Sequence, residues 1–286
     1  MRRALCASQD EPEKNKIKSK DYKMKKNVNS IVSKTKLLSI CLLVLALLPI
    51  SAYATLVDLG AAADFAILGG SAVTNTGSSV INNGNVGSSP TPAVSGFLPG
   101  VVNNGILYTA ASSVTAQAHT DLIAAYAVAA SATTSGVAPA DLGGAILTPG
   151  VYTYAAIAPW AAGTLTLDAL GDSSAQWIFQ IGALTTPAGA IVSFINGASA
   201  NNVFWQIGSS LTLGGTNAFA GNILANTSIT LGGGTLDGRA LAINGAVTIS
   251  VAETINIPTP TNIPEPATLC LLGLGALSLV RRKKLA

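Results

Sequence analysis

The chain repeats itself in three consecutive segments: LTLGGTNAFAGNILANTS (211–228), ITLGGGTLDGRALAINGA (229–246) and VTISV (247–251). A threonine recurs at the second position of each segment, at intervals of 18 residues: Thr212, Thr230 and Thr248. One such period makes a coil with three sides of about six residues, and a chain with this period buries its apolar positions only by stacking coil on coil. The repeat predicts a β-solenoid.

The triplets LTL, ITL and VTI that open these segments predict which side chains face inward. Successive side chains of a strand point to opposite faces, so the aliphatic residues of each triplet lie on one face and the threonine lies on the other. We expect the threonines to form an outward row. Beneath it we expect six buried aliphatic side chains: Leu211, Leu213, Ile229, Leu231, Val247 and Ile249.

The same pattern continues upstream with less regularity. The triplets LTL (165–167) and LTT (184–186) place Thr166 and Thr185 at intervals of 19 and 27 residues, and we expect an insertion near 196–202. A second set of segments follows the triplets by about two thirds of a coil and supports the same register. These segments are WIFQIG (177–182), VFWQIG (203–208), NILAN (222–226) and RALAIN (239–244).

Two kinds of segment interrupt the strands. Glycine pairs at 214–215 and 232–233 are expected at corners between sides, where a positive φ is needed. The stretch 112–132 contains neither Gly nor Pro and predicts a helix that Ser112 or Ser113 caps, packed along the side of the solenoid. Its apolar stripe is Val114, Ala118, Leu122, Ala125 and Ala129.

The charged residues are distributed unevenly along the chain. Of the 16 Lys and Arg residues, 11 lie before position 37 and four lie at 281–284, which leaves Arg239 alone in between. Residues 55–260 carry eight carboxylates against this one arginine, a net charge near −7. An acidic body offers nothing to the phosphate backbone of a nucleic acid, so we expect no nucleic-acid partner.

The N-terminal residues have the order of a secretory signal. An apolar run, LLSICLLVLALL (37–48), lies behind lysines and is followed by the small-residue site AYA (52–54). This order predicts cleavage after position 54, and the run is too short for a membrane span, although an N-terminal anchor is the alternative. Met24 is a second candidate for the true start. We therefore interpret 1–54 as an N-terminal extension and signal peptide.

The C-terminal residues 263–286 contain a Pro-Glu-Pro, an apolar run and a basic tail, in that order: IPEPATLCLLGLGALSLVRRKKLA. This segment resembles the PEP-CTERM sorting signal of bacteria that export extracellular polysaccharide, which implies processing by an exosortase. A plain transmembrane helix is the alternative. We interpret 258–262 as a linker and 55–257 as the folded domain, and we expect a secreted or surface-associated protein.

The central part offers little catalytic chemistry. The three cysteines all lie outside it: Cys6, Cys41 and Cys270. The only histidine, His119, falls on the predicted helix without a nucleophile motif nearby. Asp168 and Asp172 fit a turn that bonds its own backbone better than an acid/base pair or a calcium site, and Asp237 is expected to pair with Arg239. We expect no catalytic residue, metal or cofactor.

The central part also resembles the ice-binding-protein-like domain family, in order, over 56–257. The segments that carry this resemblance are LGAAADFAILGGSAVTNTGSSVINNGNVG (59–87), DLGGAILTPGVY (141–152), LTLDALGDSSAQWIFQIG (165–182), NVFWQIGSSLTLGGTNAFAGNILANTSITL (202–231) and GRALAINGAVTI (238–249). It implies an all-β-dominated fold, an irregular triangular β-solenoid with one long α-helix packed alongside, and binding of ice through a flat face.

The resemblance implies an ice-binding face on the outward row and its N-terminal extension. The expected residues are Thr74, Ser95, Thr185, Thr212, Thr230 and Thr248. The 27-residue interval leaves open on which side Thr166 and Thr185 lie. Threonine presents a methyl group and a hydroxyl without a charge, so such a surface orders water. We expect a non-enzymatic antifreeze protein whose partner is the surface of an ice crystal.

Two other functions stay open at this point. The same fold could serve as a structural or adhesive protein of the extracellular polysaccharide matrix, without ice activity. A polysaccharide-active enzyme is less favoured, because the sequence offers no acid/base constellation. Aromatic platforms would favour sugar, but Trp177 and Trp205 lie in strand segments and are expected to be buried.

Overall fold

The computed structural model describes residues 57–258, which belong to the second of two units of the chain, beginning at Ala54. The predicted signal peptide with Met24, and all but the first residue of the predicted linker and sorting segment, lie outside these residues. The described chain forms 18 strands, one α-helix and two 3-10 helices. The α-helix, α1, is Ser113–Ser131, and the 3-10 helices are Gly60–Asp64 and Ala200–Asn202.

The strands pair only in parallel and form one 18-stranded sheet that winds into coils. In chain order they are β1 (Phe65–Gly69), β2 (Ala72–Asn75), β3 (Val80–Asn82), β4 (Asn85–Ser88), β5 (Val94–Ser95), β6 (Val101–Asn103), β7 (Ile146–Leu147), β8 (Gly150–Ile157), β9 (Thr164–Asp168), β10 (Trp177–Thr185), β11 (Ile191–Ile195), β12 (Val203–Ile207), β13 (Leu211–Leu213), β14 (Asn217–Ala225), β15 (Ile229–Leu231), β16 (Gly234–Ala242), β17 (Ala246–Ile249) and β18 (Glu253–Asn256). This arrangement is the predicted β-solenoid with one helix.

Each coil contributes strands to three faces. Face A contains β8, the first part of β10, β12, the second parts of β14 and β16, β1 and β4. Face B contains the end of β10, followed by β13, β15, β17, β2 and β5. Face C contains β7, β9, β11, the first parts of β14 and β16, β18, β3 and β6.

The order of the coils in the stack differs from their order in the chain. Strand β1 pairs with β16, β2 with β17 and β3 with β18, so the N-terminal coils stack on the C-terminal coil. Helix α1 then carries the chain to the other end of the stack. Its 19 residues span about 28 Å at about 1.5 Å per residue, which matches six coils about 4.8 Å apart.

The interior of the stack holds the inward side chains of all three faces. The six aliphatic residues predicted from the triplets are each 0–1% exposed, as predicted. Trp177 and Trp205 are fully buried, which was also predicted. The Phe179 ring stacks on Trp205, with ring centroids 4.2 Å apart. On the coil at the other side of Trp205, the Phe219 ring centroid lies 4.9 Å from that of Trp205. Aromatic rings thus fill the wider coils.

Helix α1 packs on the outer side of face A. Its buried side chains are Thr115, Ala118, Leu122, Ala125 and Ala129. Alanine at three of these positions lets the helix approach the sheet closely, where it covers outward residues such as Ile178, Phe204 and Leu224. The Ser112 side chain caps α1 by accepting a hydrogen bond from Val114 N at 3.1 Å. Face A is therefore buried on both sides.

The predicted helical stripe is wrong at its first position. Val114 is 43% exposed and Thr115 is buried in its place. The two positions lie on opposite edges of the stripe, and Thr115 turns inward because Gly87 below it has no side chain: a Cβ there would lie 2.8 Å from Thr115 Cγ2. The Thr115 hydroxyl donates to Ser112 O at 2.8 Å.

The glycine pairs lie near corners, and only the second pair supplies a positive φ as predicted. At the first corner the positive φ belongs to Thr216 (57°), and Gly214 and Gly215 do not have it. At the second it belongs to Gly233 (108°) and Gly234 (123°). The predicted irregularity near 196–202 is present, as a turn followed by a 3-10 helix.

Within residues 57–258, no helix has the length and apolarity that are needed to cross a bilayer.

Candidate functional site

The six predicted site residues form a single row on the outer side of face B. Thr185 pairs with Thr212, Thr212 with Thr230, and Thr230 with Thr248. The row continues into the N-terminal coils, where Thr248 pairs with Thr74 and Thr74 with Ser95. At about 4.8 Å between parallel strands, these six positions extend over about 24 Å.

The outward direction of the row follows from the alternation within each strand. Thr185, Thr212 and Ser95 are exposed, and the three central threonines are half-buried by their neighbours along the row. Thr74 Oγ1 donates to Thr248 Oγ1 at 3.3 Å, where the N-terminal and C-terminal coils meet. The row is therefore continuous across that junction.

A second row of small side chains flanks the threonines, and the sequence analysis missed it. It consists of the residue two positions before each site residue: Ala72, Ala93, Ala183, Ser210, Ser228 and Ala246. Strand alternation puts this row on the same outer side. The signal was available in the sequence, because only Ala or Ser occurs at this position. Small flanking residues leave nothing that rises above the threonines.

Face B also differs from the other two faces in charge and cover. Its six strands contain no Asp, Glu, Lys or Arg. Face A is covered by α1. Face C carries the half-buried Asp168, the exposed Asp237 and the aliphatic side chains of Ile191 and Ile195, which are 40% and 39% exposed. Among the faces of residues 57–258, only face B is open, uncharged and lined by short side chains.

The structure separates the two threonines whose side the sequence left open. Thr185 lies in the face B row. Thr166 does not: its strand β9 pairs with β11 and β7, so Thr166 lies beside Ser193 on face C. The 165–167 triplet has the same alternation as the others, but alternation distinguishes inside from outside and carries no information about which of three faces a strand joins.

Buried polar side chains hold the corner between faces B and C next to the row. Asn75, directly after Thr74, donates from Nδ2 to Gly77 O and Gly96 O, both at 2.7 Å, and accepts from Ser79 Oγ at 2.7 Å. Asn217 donates to Gly214 O, two residues after Thr212. These bonds tie each corner to the end of a face B strand and fix where the strand ends.

Two buried charged groups lie away from the face B row. Glu253 is 2% exposed and accepts from Gly233 N at 2.9 Å through Oε2; burial raises its pKa to about 7, against the opposing effect of that bond. Burial lowers the pKa of Arg239 to about 10, with the Asp64 carboxylate acting in the opposite direction. Neither group touches face B.

The predicted pairing of Asp237 with Arg239 is wrong. Arg239 Nε donates to Ala63 O at 2.8 Å and Nη1 donates to Asn222 Oδ1 at 2.7 Å, both beneath the segment 57–64. Asp237 instead accepts from Asn256 Nδ2 at 2.8 Å on face C. Gly238 separates the two residues at the point where β16 passes from face C to face A, so they belong to different faces.

The weaker catalytic candidates have structural partners. His119 Nε2 lies 2.8 Å from Ile243 O, and so joins α1 to the corner between faces A and B. Asp168 accepts from Leu170 N at 2.9 Å, and Asp172 accepts from Ser174 N at 2.9 Å, as the predicted backbone-bonding turn requires. No group of three or more His, Cys, Asp or Glu side chains within 57–258 is arranged to hold a metal ion.

Comparison with known sequences places this architecture in a family. The sequence model of the ice-binding-like family matches residues 67–256, most of the coils described above. The chain belongs to the ice-binding-like family. A second match, to the PEP-CTERM protein-sorting motif, covers residues 262–284, so the chain has the sorting motif of secreted or cell-surface proteins, as predicted.

Individual relatives of the family agree with this assignment. The ice-binding protein of Nostoc sp. strain HG1 is 50% identical over 195 residues, which cover 67% of this chain and 71% of the relative. Ice-binding protein 1 of Shewanella frigidimarina is 34% identical over 67% of this chain, but the match spans only 25% of that longer protein. The crystal structure of an ice-binding protein from an Antarctic biological consortium superimposes with a TM-score of 0.66 at 41% identity, covering 71% of this chain and 91% of that one.

Proposed function

We propose that this chain is a secreted or surface-associated ice-binding protein that binds ice through the outer side of face B. The observation that carries the proposal is the row of five threonines and one serine in register over six strands, on an uncharged face. Membership of the ice-binding-like family supports it.

Repetition of the same groups and weak hydration make face B suited to ice. Parallel strands repeat the same group at about 4.8 Å, and the strand pleat repeats the outward direction every second residue. Each threonine offers a hydroxyl that bonds water and a methyl group that does not. A repeating array of this kind orders its water in a lattice-like arrangement, which a growing ice surface can extend. Charged side chains would hold water in other orientations, and face B has none.

We also propose that the protein works without catalysis. The ice-facing residues are hydroxyl groups with no base beside them: no His, Lys, Asp or Glu occurs in the strands of face B. The expected partners are an ice surface and, for the sorting motif, an exosortase. Contact with extracellular polysaccharide is a separate hypothesis.

The proposal is tested by freezing the purified, secreted chain under a microscope. We expect a gap between the melting and freezing points, faceted crystals and suppressed recrystallisation in a frozen sugar solution. A folded chain that gives none of these at high concentration would contradict the proposal. Growth of ice around fluorescently labelled protein gives an independent readout, because a bound protein outlines the crystal.

A further inference from the structure

A cleft lies on the corner between faces A and C, across the solenoid from face B. It is a half-open cleft with a volume of about 420 Å³. Its walls come from four separate parts of the chain: the segment before β1, the corner turns of the two N-terminal coils, Arg239 of β16, and the last described residues, Ile257 and Pro258. The face B row does not contribute to it.

Side chains with unused hydrogen-bonding capacity line this cleft. Asn104 donates to Asn83 Oδ1 at 3.2 Å, and Ile106 N donates to Asn85 Oδ1 at 2.9 Å. Within residues 57–258, no hydrogen bond engages Asn83 Nδ2, Asn85 Nδ2, Asn104 Oδ1 or the Asp64 carboxylate. The cleft therefore offers donors and acceptors side by side.

Arg239 gives the cleft a fixed cationic wall. Only 7% of Arg239 is exposed, and bonds from Nε and Nη1 hold its guanidinium in place. These bonds do not use Nη2, which has no acceptor among residues 57–258. A guanidinium held in this way loses little entropy when it binds a further oxygen.

The balance of charge in the cleft selects the class of ligand. Among residues 57–258, Asp64 and Arg239 are the only charged residues that line it, so their charges cancel. Planar amide, carboxylate and guanidinium groups can each bond two neighbouring hydroxyls, and Ile257 and Pro258 offer an apolar surface for ring C–H groups. We propose that this cleft binds a neutral pyranose sugar.

The position of the cleft is compatible with simultaneous ice binding. In a three-sided coil the corner between faces A and C lies opposite face B. A sugar held there leaves the threonine row free, so the protein can hold a glycan on one side and meet ice on the other. This inference goes beyond the proposed ice binding and does not depend on it.

The test uses the intact secreted protein with three methyl glycosides: those of glucose, galactose and mannose. Saturation-transfer NMR and calorimetry should detect millimolar binding of at least one of them. Asn104→Gly preserves the positive φ of 54° at this position but removes the amide, and should weaken binding about tenfold. Asp64→Ala should act in the same direction.

A matched control comes from the same type of corner elsewhere. Asn196 also has a positive φ, 52°, and also donates to a side chain on a neighbouring coil, Asp168. Asn196→Gly should leave sugar binding unchanged. No binding of any neutral glycoside, or equal binding by Asn104→Gly and Asn196→Gly, would overturn the assignment. Thermal hysteresis of all three variants should stay at the wild-type value, which separates this test from that of face B.

Discussion

A threonine in the face B row has few conformations available to it. Its β-branched side chain is stiff at χ1, and the neighbouring threonine on the next coil limits it further. At the junction of the N-terminal and C-terminal coils, Thr74 and Thr248 also share a hydrogen bond between hydroxyls. The methyl and hydroxyl groups are thus held in place before any ligand arrives, so little side-chain entropy is lost on binding.

The centre of the row gives the sharpest test of the face. We expect Thr230→Tyr to remove most of the thermal hysteresis, because a ring that rises from the middle of a flat array holds the surface away from ice. Thr235→Tyr is the matched control: it makes the same change on the same coil, at an exposed position of face C. Thermal hysteresis and melting temperature are measured for both.

The two outcomes are distinct because exposed substitutions cost little stability. Equal losses of activity in Thr230→Tyr and Thr235→Tyr, with unchanged melting temperatures, would mean that face B is not the ice-binding surface. Asn226 is a poor control position, since it bonds Gly208 O and accepts from Asn244 Nδ2 in the corner ladder.

Beneath the row, the interior carries the stability. Leu231 is fully buried between Leu213 and Ile249 of the neighbouring coils. We expect Leu231→Ala to lower the free energy of unfolding by about 2–5 kcal/mol, the usual cost of a core cavity. Urea unfolding followed by circular dichroism measures this. A loss below about 1 kcal/mol, typical of surface substitutions, would contradict the inward register.

Glu253 gives a prediction for the dependence of stability on pH. The folded chain holds its proton up to a pKa of about 7, against an ordinary value of 4.5 in the unfolded chain. Between these values the unfolded chain releases the proton and the folded chain keeps it, so stability falls as the pH rises through this window. Its hydrogen-bond partners are neutral: Gly233 N donates to the carboxyl, and the Glu253 backbone N donates to Ser79 Oγ.

Glu253→Gln should remove this component while keeping an oxygen for Gly233 N. The free energy of unfolding is measured for both chains at intervals between about pH 4.5 and pH 7.5. We expect the wild-type chain to lose stability relative to the variant as the pH rises. A difference that stays constant over the window would show that Glu253 ionises normally in the folded state.

Single residues were predictable from the sequence where a short period determined them. The triplets fixed the inside and outside of Leu231 and Thr230, because alternation in a strand leaves no third choice. Arg239 was not predictable, since its partners at Ala63 and Asn222 come from other coils. Its proximity to Asp237 in sequence suggested an ion pair, which the change of face at Gly238 prevents.

At the scale of the elements, α1 is fastened to face A by side chains of the sheet. Gln180 Nε2 donates to Ala129 O at 2.9 Å and to Ala132 O at 2.8 Å, and so satisfies carbonyls at the helix C-terminus. On the next strand, β12, Gln206 Nε2 donates to Tyr126 OH of α1 at 2.7 Å. These two glutamines pair with each other in register on β10 and β12.

We expect Gln180→Leu to lower the free energy of unfolding by about 1–3 kcal/mol, because carbonyls of the last turn of α1 lose their donor. Thermal hysteresis at low temperature should stay unchanged, since face A does not contribute to the row. Gln117→Leu is the control: Gln117 is an exposed residue of α1 that bonds only Asp121. A loss of stability as large in the control would contradict the role given to Gln180.

The helix was predictable as an element, but its docking was only partly so. The absence of Gly and Pro and the alanine stripe predicted its bounds closely, and Ser112 as its cap. The choice of Thr115 over Val114 depended on Gly87, 28 positions earlier in the chain, and no periodicity reports such a contact. The prediction for the first corner was wrong for a similar reason, since Thr216 takes a positive φ that glycine would usually take, whereas Gly233 has the predicted positive φ at the second corner.

At the scale of the whole molecule, the order of the coils was not predictable from the repeat. A regular solenoid stacks its coils in chain order. Here the coils of 65–107 lie beyond the last coil, and α1 bridges the stack in between. The repeat determines the shape of each coil, but nothing in the period says which coil becomes the end of the stack. Thr74 and Ser95 were therefore predicted as members of the face B row from the family resemblance alone.

The closing strands should be indispensable. We expect a chain that ends at position 245, before β17, to lose cooperative unfolding, because β2 and β3 lose their only partners on the C-terminal side. A chain that ends at 258 is the control and should unfold in one transition. Urea unfolding and thermal hysteresis distinguish them. Cooperative unfolding of the shorter chain would mean that the N-terminal coils need no such partner.

The hydrogen bond between Thr74 and Thr248 joins residues 174 positions apart. The chain is synthesised and exported from N-terminus to C-terminus. Strand β2, which carries Thr74, therefore has no partner at β17 until nearly the entire domain has emerged. Contacts of such long range make folding slow. A molecule interrupted just before β17 would carry five of the six row residues, but as two short arrays with a gap. The length of the array thus depends on the completeness of the domain, and only the finished domain has all six residues in one continuous row.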